Sequence, residues 1–219
     1  MIGFGRPRAS GLAEAVLLLA ALSAYLALVF VFRDFVIDDT YIAFRYAENF
    51  ARGGALSFNP DDRDPVEGCT SFSWVLLSAA AIRAGADPLP AVRIVSIASG
   101  IGALLLLHRI ARRTIGPGWH AAIPVLLLGV SAEFAEWSTA GLETVFFLFF
   151  LLLAFDRLLS EAENGGRPLS PIFFALAALT RPEGAALFAG AAALLAFIRL
   201  AAPGRHRLSL KGIAMRVGL

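Results

Sequence analysis

Two adjacent carboxylates, Asp38 and Asp39, stand where the first apolar run of the chain ends, and Tyr41 and Arg45 follow shortly after. On a helix, Asp38, Tyr41 and Arg45 lie at i, i+3 and i+7 and so share one face. That spacing brings a carboxylate, a phenol and a guanidinium together. The carboxylate can take a proton from a hydroxyl, and the arginine can hold a phosphate. A plainer reading is that one of the two aspartates caps the start of the helix. Capping accounts for one acid, not for two.

Other ionisable residues fall in short polar segments between apolar runs. Glu67 lies in the loop Pro65-Val-Glu-Gly-Cys-Thr-Ser71, where it either meets a substrate hydroxyl or is a solvated loop acid. Glu143 closes the segment Trp137-Ser-Thr-Ala-Gly-Leu-Glu143, and Arg181 and Glu183 flank Pro182 in Thr180-Arg-Pro-Glu183. Ionisable groups bordering a membrane core face an internal cavity or one another, so these three are candidates for substrate contact. An Arg181–Glu183 pair of purely structural meaning is the alternative. Trp74 reads as a membrane-interface anchor rather than a sugar platform. Cys69 is the single cysteine, and His108, His120 and His206 show no ligand spacing, so neither a disulfide nor a metal site is expected.

The elements that must position these groups are membrane elements. The chain is 58% hydrophobic and only 16% charged, with a mean hydropathy of +0.73, far from the balance of a soluble domain. The formal charge of +2 gives no reason to expect nucleic-acid binding. Lys211 is the only lysine, and with abundant Ala and Gly this suggests a GC-rich bacterial source.

Gly11 to Phe32 is long enough to cross a bilayer as an uncleaved first helix, with the Arg6/Arg8 end in the cytoplasm. Residues 33–84 then form a net-acidic external loop that carries interfacial helices. Ser71 to Ala84, about fourteen residues, is short for a span. Placing Phe72–Arg83 as a helix along the outer interface leaves Arg109, Arg112 and Arg113 inside after Val92–Leu107 has crossed. Crossings then follow at Ala121–Phe134, Val145–Phe155, Ser170–Leu179 and Ala185–Leu200. The outer turn is at Trp137–Glu143 and a cytoplasmic loop runs from Arg157 to Arg167. The expected fold is an all-α, polytopic bundle with about six crossings, a single transmembrane domain over residues 1–219.

At these residues the chain resembles the N-terminal half of GT-C membrane glycosyltransferases, which take sugars from polyprenyl-phosphate donors. The resemblance rests on DDTYIAFRYAENFARGGALSFN, PVEGCTSFSW, STAGLET and LTRPEG, in that order between Asp38 and Gly184. It is nearest to the terminal arabinofuranosyltransferase type. More distantly the chain is similar to aminoarabinose transferases and protein O-mannosyltransferases.

The resemblance implies sugar transfer with inversion to a glycan, lipid or protein acceptor of the cell envelope. Asp38 or Asp39 would be the general base, and Arg45 or Arg181 the positive charge facing the departing phosphate. Tyr41, Glu67, Glu143 and Glu183 would complete the donor and substrate contacts. No cofactor is implied, and a metal is not indicated. The site would face the external side of a bacterial plasma membrane. Full GT-C enzymes are about twice this length, so a partner chain supplying a C-terminal half is an expectation. The alternative is a truncated, non-catalytic membrane protein that binds polyprenyl lipid or a partner subunit.

Overall fold

The computed structural model describes residues 7–59, 68–164 and 167–201. Among them the chain is all-α, with no strand. Glu67 lies outside the described residues, as do Arg63 with its neighbouring acids, Arg6, and the basic tail from Arg205 to Arg216.

The first helix, α1 (Pro7–Val31), is strongly apolar from Gly11 onward, with Glu14 the one charged residue in that stretch. A short loop leads to α2 (Asp39–Ala51), whose buried side chains Thr40, Ala43, Phe44, Ala47 and Asn49 recur at helical spacing. Next comes α3 (Phe72–Arg83), with the bounds expected from the sequence. It packs on α2, α4 and α8. The long α4 (Pro88–Thr114) begins with Asp87 accepting from the Leu89 N–H at 3.0 Å and a proline in its first turn.

A 3-10 turn (Trp119–Ala122) runs into α5 (Ile123–Gly129), and after a break comes α6 (Ala132–Thr139), bent 56° from the piece before it. Three further helices are α7 (Thr144–Asn164), α8 (Ser170–Thr180) and α9 (Glu183–Ala201).

Among the described residues two helices are long and apolar enough to cross a membrane, Gly11–Val31 and Pro88–Thr114, and the bent pair makes a third if it is one span. The other crossings expected from the sequence fall on the shorter apolar helices α8 and α9, and on α7, whose last third is charged.

Two boundaries differ from the sequence reading. Trp137–Thr139 belong to α6, so the turn before α7 is only Ala140–Glu143, because Ser131 caps a new helix by accepting from the Phe134 N–H at 3.3 Å. Residues Arg157 to Asn164 are helical rather than loop. Glu161 explains why: its carboxylate accepts from the Leu169 N–H at 2.7 Å, the Ser170 N–H at 2.9 Å and the Ser170 hydroxyl at 2.6 Å, so it serves as the cap of α8.

The central packing has α4 against α7 and α1 against α5 and α6. Tyr25 of α1 is fully buried, and its hydroxyl donates to Ser138 Oγ at 2.8 Å on α6. A Cβ at Gly100 of α4 would stand 2.0 Å from that hydroxyl, so only glycine lets α4 approach α1 at this level. A second cluster, Ala43, Phe44, Ala47, Trp74, Val75 and Val92, ties α2, α3 and the start of α4 together beside the acidic pair.

Candidate active site

Where α2, the segment before α3, the turn before α7 and the end of α8 meet, they enclose a cleft of about 660 Å³. Its chemical groups are Asp39 from α2, Cys69, Thr70 and Ser71 from the approach to α3, Glu143 ahead of α7, and Arg181 after α8.

The two aspartates are separated by position at the outset. Asp38 is the N-cap of α2, its Oδ1 accepting from the Asp39 N–H at 3.1 Å. Asp39 lies in the first turn, is exposed, and lines the cleft.

Arg181 leaves its helix for a local reason. Pro182 disfavours the helical conformation in the residue before it, and Arg181 is extended at φ −147, ψ 135. Its guanidinium then reaches Glu143 Oε1 at 3.6 Å and Glu183 Oε1 at 3.4 Å. The pairing with Glu183 anticipated from sequence is present, and Glu143 joins it. Glu143 is 9% exposed, whereas Glu183 is exposed and is not among the cleft-lining residues.

Burial pushes the Glu143 carboxyl above the ordinary carboxylate range, and it outweighs the opposing pull of a backbone N–H, the Arg181 charge and the Ser71 hydroxyl. Asp39 and the Glu143–Arg181 pair therefore line one cleft large enough for a sugar, and the two carboxyl groups differ in environment.

The turn before α7 is anchored from three sides. The Ile37 N–H donates to Ala140 O at 3.2 Å, and the Thr40 hydroxyl donates to the same oxygen at 2.8 Å. Trp74 Nε1 donates to Gly141 O at 2.8 Å. Gly141 has φ +93, and a Cβ there would meet Thr40 Cγ2 at 2.6 Å, so the turn requires glycine on both grounds. The Asp38-Asp39 corner and the Glu143 turn are thus fastened to each other. Trp74 is fully buried. Its role is to hold this turn, which corrects the reading of it as a membrane anchor: a buried indole N–H needs an acceptor and has one.

Tyr41 and Arg45 do not join this cleft. They line a separate groove of about 400 Å³ with Phe44, Glu48 and Ile82. Arg45 Nη1 lies 3.5 Å from Glu48 Oε2, and its Nε donates to Phe58 O at 3.3 Å. The i, i+3, i+7 face is real for Tyr41 and Arg45. The carboxylate that reaches the cleft is the neighbouring Asp39, which points about 100° away on the helical wheel. Among the described residues no group of three or more His, Cys, Asp or Glu side chains is arranged to hold a metal ion.

Sequence reasoning missed Ser71, Thr40 and Trp74 as parts of the site's frame. A buried serine two residues after the lone cysteine carries no signal in its spacing. Only the contact of segments far apart in the chain reveals it.

Neither curated protein sequences nor solved structures return a match to the chain. A family model described as dolichyl-phosphate-mannose-protein mannosyltransferase matches residues 70–218, a span that holds Ser71, Glu143 and Arg181 and begins after the acidic pair. The chain belongs to that family, and with its apolar helices it is a membrane glycosyltransferase of the GT-C kind.

Proposed function

We propose that the cleft transfers a sugar from a polyprenyl-phosphate donor to an acceptor hydroxyl with inversion, and that Asp39 is the general base. The observation that carries this reading is the facing of Asp39, Glu143 and Arg181 across one cleft at one end of an apolar helical bundle.

The acceptor O–H gives its proton to the Asp39 carboxylate as the oxygen attacks the anomeric carbon. The C–O bond to phosphate breaks on the opposite face, and its electron pair leaves with the polyprenyl phosphate. Phosphate departs as a stable anion, so no general acid is required. This is unlike glycoside hydrolysis, where two carboxyl groups flank the bond. The developing charge needs a cation, and Arg181 is the one that lines the cleft among the described residues. Glu143 holds Arg181 in place and offers an oxygen to a sugar hydroxyl.

In this reading Asp38 keeps the start of α2 in position, and Glu183 steadies Arg181 from the solvent side. Tyr41 and Arg45 contact a part of the substrate remote from the reacting carbon, in the groove on the other side of α2. Glu67 is proposed as a further contact to a sugar hydroxyl. No metal enters the scheme. We place the cleft on the external face of a bacterial plasma membrane, with a cell-envelope glycan, lipid or protein as acceptor.

The test is a transfer assay in membranes with a panel of polyprenyl-phosphate sugars, comparing the parent protein with Asp39→Asn and Asp38→Asn. Removing a general base costs about 10² to 10⁴ in rate. Loss of that size in Asp39→Asn, with Asp38→Asn close to the parent, supports the assignment. Full transfer by folded Asp39→Asn sinks it.

A further inference from the structure

Arg93, in the second turn of α4, is not among the cleft-lining residues and, among the described residues, touches no acid. Its Nε donates to Thr139 O at 2.7 Å and its Nη2 donates to Phe35 O at 2.6 Å. Among the described residues no carboxylate lies within ion-pair distance of it. A half-buried guanidinium compensated only by carbonyl dipoles is costly, so its placement asks for a reason.

The two carbonyls supply one. Phe35 O belongs to the loop that delivers Asp38 and Asp39 to the start of α2. Thr139 O is at the C-terminal end of α6, the negative end of that helix, directly before the Ala140–Glu143 turn. The same corner and turn are already joined through Ala140 O by Ile37 and Thr40. Arg93 spans both from a third element.

We propose that Arg93 is a positioning residue for sugar transfer: by bridging Phe35 O and Thr139 O it sets the separation between Asp39 on one wall of the cleft and the Glu143–Arg181 pair on the other. The proposal rests on the transfer reading above. An arginine suits the task because its planar fork presents two diverging N–H donors, and a lysine ammonium on its flexible stem would hold one carbonyl firmly and the other poorly. The residues that react are untouched by it, so its loss acts on geometry. A misplacement of about 1 Å at a reacting centre costs on the order of 10²-fold in rate.

The experiment has two arms. In the first, Arg93→Gln and Arg93→Lys are assayed for transfer beside the parent, with kcat and donor KM separated and folding followed by thermal melting in detergent. We expect Arg93→Gln to lose about 10² in kcat with little change in KM, and Arg93→Lys to fall between it and the parent.

In the second arm, spin labels are placed at Ile42→Cys and Leu142→Cys in a Cys69→Ser background, one label on each wall of the cleft. Spin–spin broadening is then compared with Arg93 and with Gln at position 93. A shifted or widened separation with Gln upholds the bridge. An unchanged separation overturns it, and so does a changed separation with unchanged kcat. If the parent shows no transfer with any donor, the function reading has failed, and the label arm still decides the bridge by itself. Should Arg93→Gln not fold, Arg93→Lys, which keeps the charge and one donor, carries both arms on the same criteria.

Discussion

At one end of the helical bundle two acids are sunk in the protein beside basic side chains. Glu14 of α1 accepts from His108 Nε2 at 2.8 Å and from the Gly118 N–H at 3.1 Å, with Arg112 Nε 3.3 Å away. Asp156 of α7, 1% exposed, has Arg109 Nε at 3.2 Å and Arg113 Nη1 at 3.4 Å. Arg113 also lies 3.6 Å from Glu163. At the other end, about 29 Å along α4 from Arg112 to Arg93 by helical rise, the acids are disposed differently. Asp39 is exposed to the cleft, and Glu143 shares a single arginine with Glu183.

The difference teaches how to separate structural charge from charge held for use. Buried acids ringed by basic side chains are tied into the fold by those pairings, and removing one partner strands the others. Acids that outnumber the cations beside an open cleft have capacity left for a ligand. The arginines Arg109, Arg112 and Arg113, which read in the sequence as a topology signal, also fasten α4 to α1 and α7.

Several measurements would break or sharpen that contrast. The largest effect is expected at the tied end: Asp156→Ala takes a carboxylate from the half-buried Arg113 at a fully buried position and costs about 3 kcal/mol. For a chain of this size that corresponds to a fall in melting temperature on the order of 10 °C, and transfer per folded molecule is unchanged. An Asp156→Ala protein that melts like the parent but has lost transfer would break the comparison.

At the cleft end the pattern inverts. Arg181→Gln lowers transfer by about 10²- to 10³-fold, the usual loss of one positioned charge facing a developing anion, and melting shifts little because the Arg181 side chain is 37% exposed.

The Glu143 prediction concerns pH. Its folded-state carboxyl binds a proton more readily than in the unfolded chain, so between the ordinary carboxylate value and the raised one the folded state holds more protons. Stability from this group is therefore present at low pH and is lost as pH rises through that window. Melting temperature followed across it should fall in the parent more steeply than in Glu143→Gln. An identical slope in both would remove Glu143 from the account. The smallest effect belongs to Asp38: asparagine caps a helix as well as aspartate does, so Asp38→Asn is near neutral in melting and Asp38→Ala costs about 1 kcal/mol at most.

How far the site was legible in the sequence depends on how local each signal is. Asp38-Asp39 announced itself by abrupt polarity after an apolar run. Arg181 did so as an ionisable group bordering an apolar run. The Phe72–Arg83 helix emerged from length and charge arguments with its ends correct. Spacing failed at Tyr41 and Arg45: it placed them on one face of α2 correctly and left open which face met the cleft. Trp74 failed for a similar reason, since an aromatic near a membrane boundary looks the same whether its N–H meets headgroups or the Gly141 carbonyl.

By itself the sequence determined that the chain is helical and membrane-embedded, and that its chemistry gathers in the polar segments between apolar runs. Those properties follow from hydropathy, proline and capping, which act over a few residues. Tertiary structure alone decided that Asp39 rather than Asp38 lines the cleft, that Glu143 is the buried partner of Arg181, and that Glu14 and Asp156 are held by the α4 cations. Each of these depends on which segments, tens of residues apart, touch. Burial and pairing are properties of that contact and have no signature in spacing along the chain.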